Sequence, residues 1–153
     1  MTRLLAVDLG ARRIGLAVGD DGSGGAVALR TIPRARTVAD DIVAIDRIVV
    51  AERIDALIVG LPLDRDGSEG PQAQLSRAWA EAVQAGLGRP VGLRDERHSS
   101  QLAEERVGRM PRGRSGGPPT AAQRERHRQR VDREAAAIIL EAELRARSEG
   151  ADR

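Results

Sequence analysis

Hydrophobic spacing changes once along this chain, at Pro33, and the change limits what the chain can fold into. Before Pro33 the apolar residues come in short runs: RLLAVD at 3–8, RRIGLAVG at 12–19 and AVALRTI at 26–32. The cluster Asp20-Asp21-Gly22-Ser23-Gly24-Gly25 separates the second run from the third. Three β-like runs joined by such short turns predict an antiparallel meander. After Pro33 the period becomes helical. Thr37 is placed to cap a helix, Asp40 stands three residues on, and Val38, Ile42, Ile45 and Val49 follow at helical spacing, which predicts a helix over 38–53.

From there strand and helix alternate. DALIVGL at 55–61 reads as a strand, and a helix opens at Pro71 with Leu75, Trp79, Ala82 and Val83 on one face. PVGLR at 90–94 reads as a further strand, followed by a helix capped by Ser99 or Ser100 and reaching about Arg109. Residues 110–121, MPRGRSGGPPTA, fit no packed element and are expected to form a mobile loop. The last helix is expected to start between Gln123 and Asp132, to end near Arg147, and to bury Ala135, Ile138, Ile139, Ala142 and Leu144. The order β-β-β-α-β-α-β-α implies an α/β fold: a five-stranded mixed sheet with helices on its faces. One domain over 1–148 with a short tail at 149–153 accommodates it.

The absence of Cys excludes disulfide scaffolds, zinc fingers, iron–sulfur sites and cysteine nucleophiles. No apolar run approaches the ~20 residues of a membrane span, and the N-terminus does not read as a signal peptide. A cytoplasmic protein without a membrane partner is expected. The sequence pI of 10.6 is a product of composition, because the chain has no Lys or Tyr and its net charge is only +2. Distribution says more. Residues 106–131 hold eight Arg and one acid, while the rest of the chain carries a net negative charge. A basic segment of this kind suits a polyanion, and it suits a solvated loop equally well.

Three acids stand at element ends. Asp8 closes the first strand, Glu96 follows the last strand, and Asp132 falls in or before the first turn of the last helix. Sites in open α/β sheets form outside the carboxyl ends of strands. Parallel first and last strands would bring Asp8 and Glu96 to one edge, where a helix could add Asp132. Three converging carboxylates call for a cation, and an all-oxygen set suits Mg²⁺ or Mn²⁺. A pair of such ions about 4 Å apart can activate water and stabilise the leaving oxygen of a phosphodiester. Spacing alone leaves the alternative open that these are surface acids or caps, Asp132 above all.

Other residues carry two readings each. Gly10 and Gly15 fit a tight hairpin, and Arg12 and Arg13 between them could also reach a phosphate. The loop PLDRDGSEGP ends at a helix N-terminus, where free N–H groups favour anions, although Asp64, Asp66 and Glu69 oppose that use. Arg97 can orient a phosphate or pair with Asp95. His98 could assist proton transfer, but both it and His127 read better as surface or cap residues. Arg109, Arg112, Arg114, Arg124, Arg126, Arg128 and Arg130 immediately precede Asp132 and would form a basic flap beside a metal site. Trp79 is the only aromatic residue, so base stacking has little to work with and binding would be mostly electrostatic.

Four segments, VDLGARRIGLAVGD (7–20), IVGLPLDRDGSEGPQA (58–73), RDERHSSQLAEE (94–105) and VDREAAAIIL (131–140), resemble in order the motifs of the YqgF family, also called RuvX. That family is described as nucleases of pre-16S rRNA 5′-end maturation and as Holliday junction resolvases. The resemblance implies an RNase H-like fold and a divalent-metal-dependent hydrolase with Asp8, Glu96 and Asp132 as catalytic metal ligands. It favours structured RNA as substrate, with branched DNA second. Two symmetric cuts in a junction would require a homodimer. His98, Ser99 and Ser100 stand where the family typically has an apolar residue and two threonines. Asp64-Arg65 and Arg133-Glu134 also depart from its pattern. Two other classes compete: DLGARRIG resembles the first phosphate loop of actin-like ATPases, which clamp ATP between two domains, and a non-catalytic RNA-binding protein would need no metal.

Overall fold

The computed structural model describes residues 1–22 and 25–152, with the Arg114 side chain excepted, so Ser23 and Gly24 of the expected turn lie outside it. Five strands form one sheet: β1 (Arg3–Leu9), β2 (Arg13–Asp20), β3 (Ala26–Pro33), β4 (Ala56–Leu61) and β5 (Val91–Asp95). Their order is β3-β2-β1-β4-β5. The meander β1–β2–β3 is antiparallel, and β4 and then β5 add in parallel to β1. The sheet is mixed, as the change of spacing predicts. β1 and β4 lie inside it and are buried along most of their length, which is why both read as near-continuous apolar runs.

Helices α1 (Val38–Glu52) and α2 (Pro71–Leu87) cover one face. Thr37 caps α1, its Oγ1 accepting from the Asp40 N–H at 3.1 Å. Beneath them Leu5, Val7 and Leu9 of β1 meet Ile45, Ile48, Trp79 and Val83. The buried side of α2 is Ala73, Ser76, Trp79, Ala80 and Val83, whereas Leu75, expected inside, is 62% exposed. The helix is rotated so that the Trp79 indole Nε1 donates to Asp41 Oδ2 on α1 at 3.1 Å.

The other face carries α3 (Ser99–Val107) and α4 (Ala121–Ala151), with a short 3₁₀ turn (Arg114–Gly116) between them. Both helices expected after β5 are present, so the full order is β-β-β-α-β-α-β-α-α, one helix more than the order written from the sequence. α4 begins earlier than its apolar pattern suggests. Thr120 Oγ1 accepts from Gln123 N–H at 3.1 Å while Gln123 Oε1 accepts from Thr120 N–H at 2.8 Å, so a capping box starts the helix well ahead of its first buried residue, Ala135. The connection expected over 110–121 stops there, and 149–151, expected in a tail, continue the helix. Ala135, Ile139 and Leu144 are buried as predicted, but Ile138 and Ala142 turn to a cleft beside α3.

The sheet surface under α4 is built from small residues. Strand alternation puts Leu4, Ala6 and Asp8 of β1 on it, with Gly15, Ala17 and Gly19 of β2 and Ala56, Ile58 and Gly60 of β4. With so few side chains in the way, α4 lies close against the strand backbones. Among the described residues no helix is long and apolar enough to cross a membrane.

Candidate active site

Asp8 shares the parity of Ala6, so its carboxyl is directed to the α4 side of β1. Its neighbours across the sheet are glycines on both sides. Gly15 is its register partner on β2, and Gly60 lies one step beyond the Val7–Val59 pair on β4. Each glycine leaves a gap that another acid uses. A Cβ on Gly15 would overlap the Asp132 carbonyl, so the α4 backbone rests on β2 at that residue. A Cβ on Gly60 would overlap the Glu96 carboxylate. Gly10 and Gly15 take no left-handed backbone; close approach, not hairpin flexibility, is what requires Gly15.

Glu96 leaves the end of β5 with its N–H donating to the Leu61 carbonyl at 3.1 Å. The Ser99 hydroxyl bonds the Glu96 carbonyl at 3.0 Å and Glu96 Oε2 at 3.3 Å. Ser99 was expected only as a cap; α3 instead begins after His98, and Ser99 is buried against the carboxylate it holds. A hydroxyl residue three positions after a candidate ligand, close enough along the chain to reach back to it, is the signal that identifies it.

The Asp8 and Glu96 carboxyls are in hydrogen-bond contact. Burial pushes Asp8 up to about 6; the hydrogen bond with Glu96 holds it back and the Asp132 charge adds to the rise. Burial and then the Asp8 charge push Glu96 up to about 9, against the Ser99 hydrogen bond. Two carboxyls in contact share a proton near neutral pH. Asp132 lies beside them, three turns into α4 and not at its start, with Oδ2 accepting from Arg13 Nε at 2.6 Å. Among the described residues no three His, Cys, Asp or Glu side chains are gathered closely enough to hold a metal ion as they stand. The donor set nevertheless fits a hard divalent cation. All three groups are carboxyls, two are held together only by keeping a proton, and the third raises the first.

The arginines fall into distinct settings. Arg13 is committed to Asp132 and reaches Glu125 at 3.8 Å. Arg97 takes its structural alternative, pairing with Asp95 at 2.8 Å. Arg12, Arg109 and Arg112 are exposed, and the Arg114 side chain lies outside the described ones. Arg124 Nη1 donates to the Pro119 carbonyl at 2.8 Å. Arg128 lines a cleft of about 490 Å³ with Arg13, Ser100, His127 and Asp132. Arg126 and Arg130 do not line it; they stand on the other side of α4 with Pro111 and Gln123. The expected flap beside the acids is thus in large part a helix, and only one of its sides meets them.

Sequence reading missed one buried network. Asp41 is 1% exposed and accepts from Arg34 Nε and the Ala35 N–H, both at 2.8 Å, besides Trp79. Arg34 in turn donates Nη1 to the Gly10 carbonyl at 2.9 Å and its backbone N–H to the Arg12 carbonyl at 2.8 Å. The turn that presents Arg13 is therefore tied to both helices of the opposite face.

With this geometry in view, similarities to known proteins become informative. The RuvX family model, described as Holliday junction resolvase, matches residues 2–146. A relative from Anaeromyxobacter dehalogenans named "Putative pre-16S rRNA nuclease" is 46% identical over 146 residues, covering 95% of this chain and 98% of its own. One of the same name from Moorella thermoacetica is 37% identical, covering 93% and 94%. Among solved structures, Thermus thermophilus RuvC in complex with a Holliday junction substrate superposes with TM-score 0.57 at 18% identity, covering 97% of each chain. That last likeness supports the fold alone, RNase H-like as the RuvX resemblance implied.

Proposed function

The chain belongs to the RuvX family, and we propose that it is a divalent-metal-dependent nuclease that trims the 5′ end of pre-16S rRNA. The observation that carries this reading is the contact between Asp8 and Glu96 at the carboxyl ends of parallel strands, with the Asp132 charge near enough to act on Asp8. These three residues would hold Mg²⁺ or Mn²⁺, which when bound supplies Lewis acidity for water and charge neutralisation at the leaving oxygen. Asp8 and Glu96 would hold the cation in place of the proton they share. Arg13 fixes the Asp132 rotamer, and Ser99 fixes that of Glu96. Arg128, one turn before Asp132 in the cleft that both line, binds a non-bridging phosphate oxygen and aligns the scissile backbone.

A second reading, resolution of branched DNA, draws on the description of the family model and on the RuvC-like fold. Cleavage of a pre-16S 5′-end transcript and a four-way DNA junction, assayed side by side, separates the two. Asp8→Asn is expected to reduce both cleavages to background while leaving nucleic-acid affinity within about twofold. Wild-type turnover by that variant would exclude the mechanism.

A further inference from the structure

The arginines on the first turns of α4 fall into two rows. At 3.6 residues per turn Arg124 and Arg128 share one side of the helix, and Arg126 and Arg130 share roughly the opposite side. The two faces between the rows are covered. Toward the sheet, Arg13 pairs with Asp132 at 2.6 Å and Thr31 Oγ1 donates to the Gln129 carbonyl at 2.5 Å. Away from the sheet, Gln123 Nε2 donates to the Arg112 carbonyl at 3.0 Å. The connecting segment lies over this outer face. Its Gly108 and Met110 line the cleft that holds Arg128, and its Pro111 lines the adjoining one, about 100 Å³, that holds Arg126 and Arg130, with His127 lining both.

Held between sheet and strap, α4 cannot enter a groove and place both rows on the two backbones of one duplex. Arg128 opens into the cleft beside Asp132, while Arg126 and Arg130 open on the far side of His127. Among the described residues no carboxylate pairs with Arg126, Arg128 or Arg130, so these guanidiniums are available to phosphate. Arg126 and Arg130 are separated along the axis by about 6 Å, comparable to the spacing of neighbouring phosphates on one strand.

Building on the nuclease reading, we propose that Arg126 and Arg130 form a second backbone-binding site. It takes a nucleic-acid segment distinct from the strand lying against Asp8 and Glu96, and so favours a substrate with two arms over a single hairpin.

The test is fluorescence anisotropy with the full chain in EDTA, using a two-armed RNA, the hairpin of either arm alone, and the same set in DNA. Wild type is expected to bind the two-armed probe at least about tenfold more tightly. Arg126→Gln with Arg130→Gln should erase that preference, lower the salt slope on the two-armed probe by about 2, and leave hairpin binding within about twofold. Arg128→Gln should weaken both probes. Equal loss on both probes in the double variant, or no loss on either, would overturn the second site, as would a wild type that binds both probes equally. A wild type that binds no nucleic acid would remove the nuclease reading and this site with it.

Discussion

Two carboxyls that keep a proton at neutral pH make stability depend on pH in an unusual direction. The folded chain holds Asp8 at about 6 and Glu96 at about 9, while an unfolded chain releases both protons in the ordinary carboxylate range. Between those limits the native state binds more protons, so stability falls as pH rises. The melting temperature without divalent ions is expected to drop from pH 6 to pH 9, and Glu96→Gln should flatten the drop. Mn²⁺ should flatten it too, by replacing the proton. A wild-type melting curve indifferent to pH across that window would mean that the pair does not share a proton. The glycines beside the pair make a second prediction. Gly15→Ala places a methyl against the α4 backbone at Asp132, so it should cost about 1–3 kcal/mol in urea unfolding and depress cleavage by displacing Asp132. An unaltered variant would show that α4 does not rest on β2 there. Asp8 and Glu96 were legible in the sequence because strand ends are legible. Gly15 and Gly60 could have been read as well, since a glycine inside a strand run often marks a close backbone approach.

The elements were legible where apolar residues set their period. The three-run meander, the Thr37 cap and the two parallel strands follow from spacing alone. α4 was legible only in part, because burial begins at Ala135 and its first turns offer no apolar stripe. Those turns rest on the Thr120–Gln123 box, which reads as a polar stretch until the helix is known. Asp132 accordingly looked like an N-terminal helix acid and sits instead within the helix, where it can be brought over Asp8. Thr120→Ala should cost about 1 kcal/mol, felt where packing is weakest. Hydrogen exchange is expected to speed up over 121–131 and to stay unchanged over 135–145. Uniform acceleration along the helix would mean that the cap supports the whole element and not its basic start alone.

At the scale of the molecule, the site edge depends on the face that carries no site. Asp41 opens α1, an acid in a first helical turn that ordinarily points to solvent. Nothing local marks it for burial; its partners, Arg34 and Trp79, come from before α1 and from α2. Through Arg34 the network reaches the Gly10 and Arg12 carbonyls, the turn from which Arg13 extends to Asp132. Removing the Asp41 carboxylate leaves the Trp79 N–H without an acceptor and Arg34 without its ion pair, a change in the range of about 3 kcal/mol. Asp41→Ala should therefore lower the urea midpoint strongly. It should also reduce cleavage in the protein that remains folded, because the loosened turn no longer holds Arg13 and, through it, Asp132. Arg34→Lys distinguishes the two effects. A lysine can keep a charge near Asp41 but cannot bridge the carboxylate and the Gly10 carbonyl together, so most stability should return while cleavage stays low. Full recovery of cleavage with Arg34→Lys would show that the turn is positioned by the strands alone.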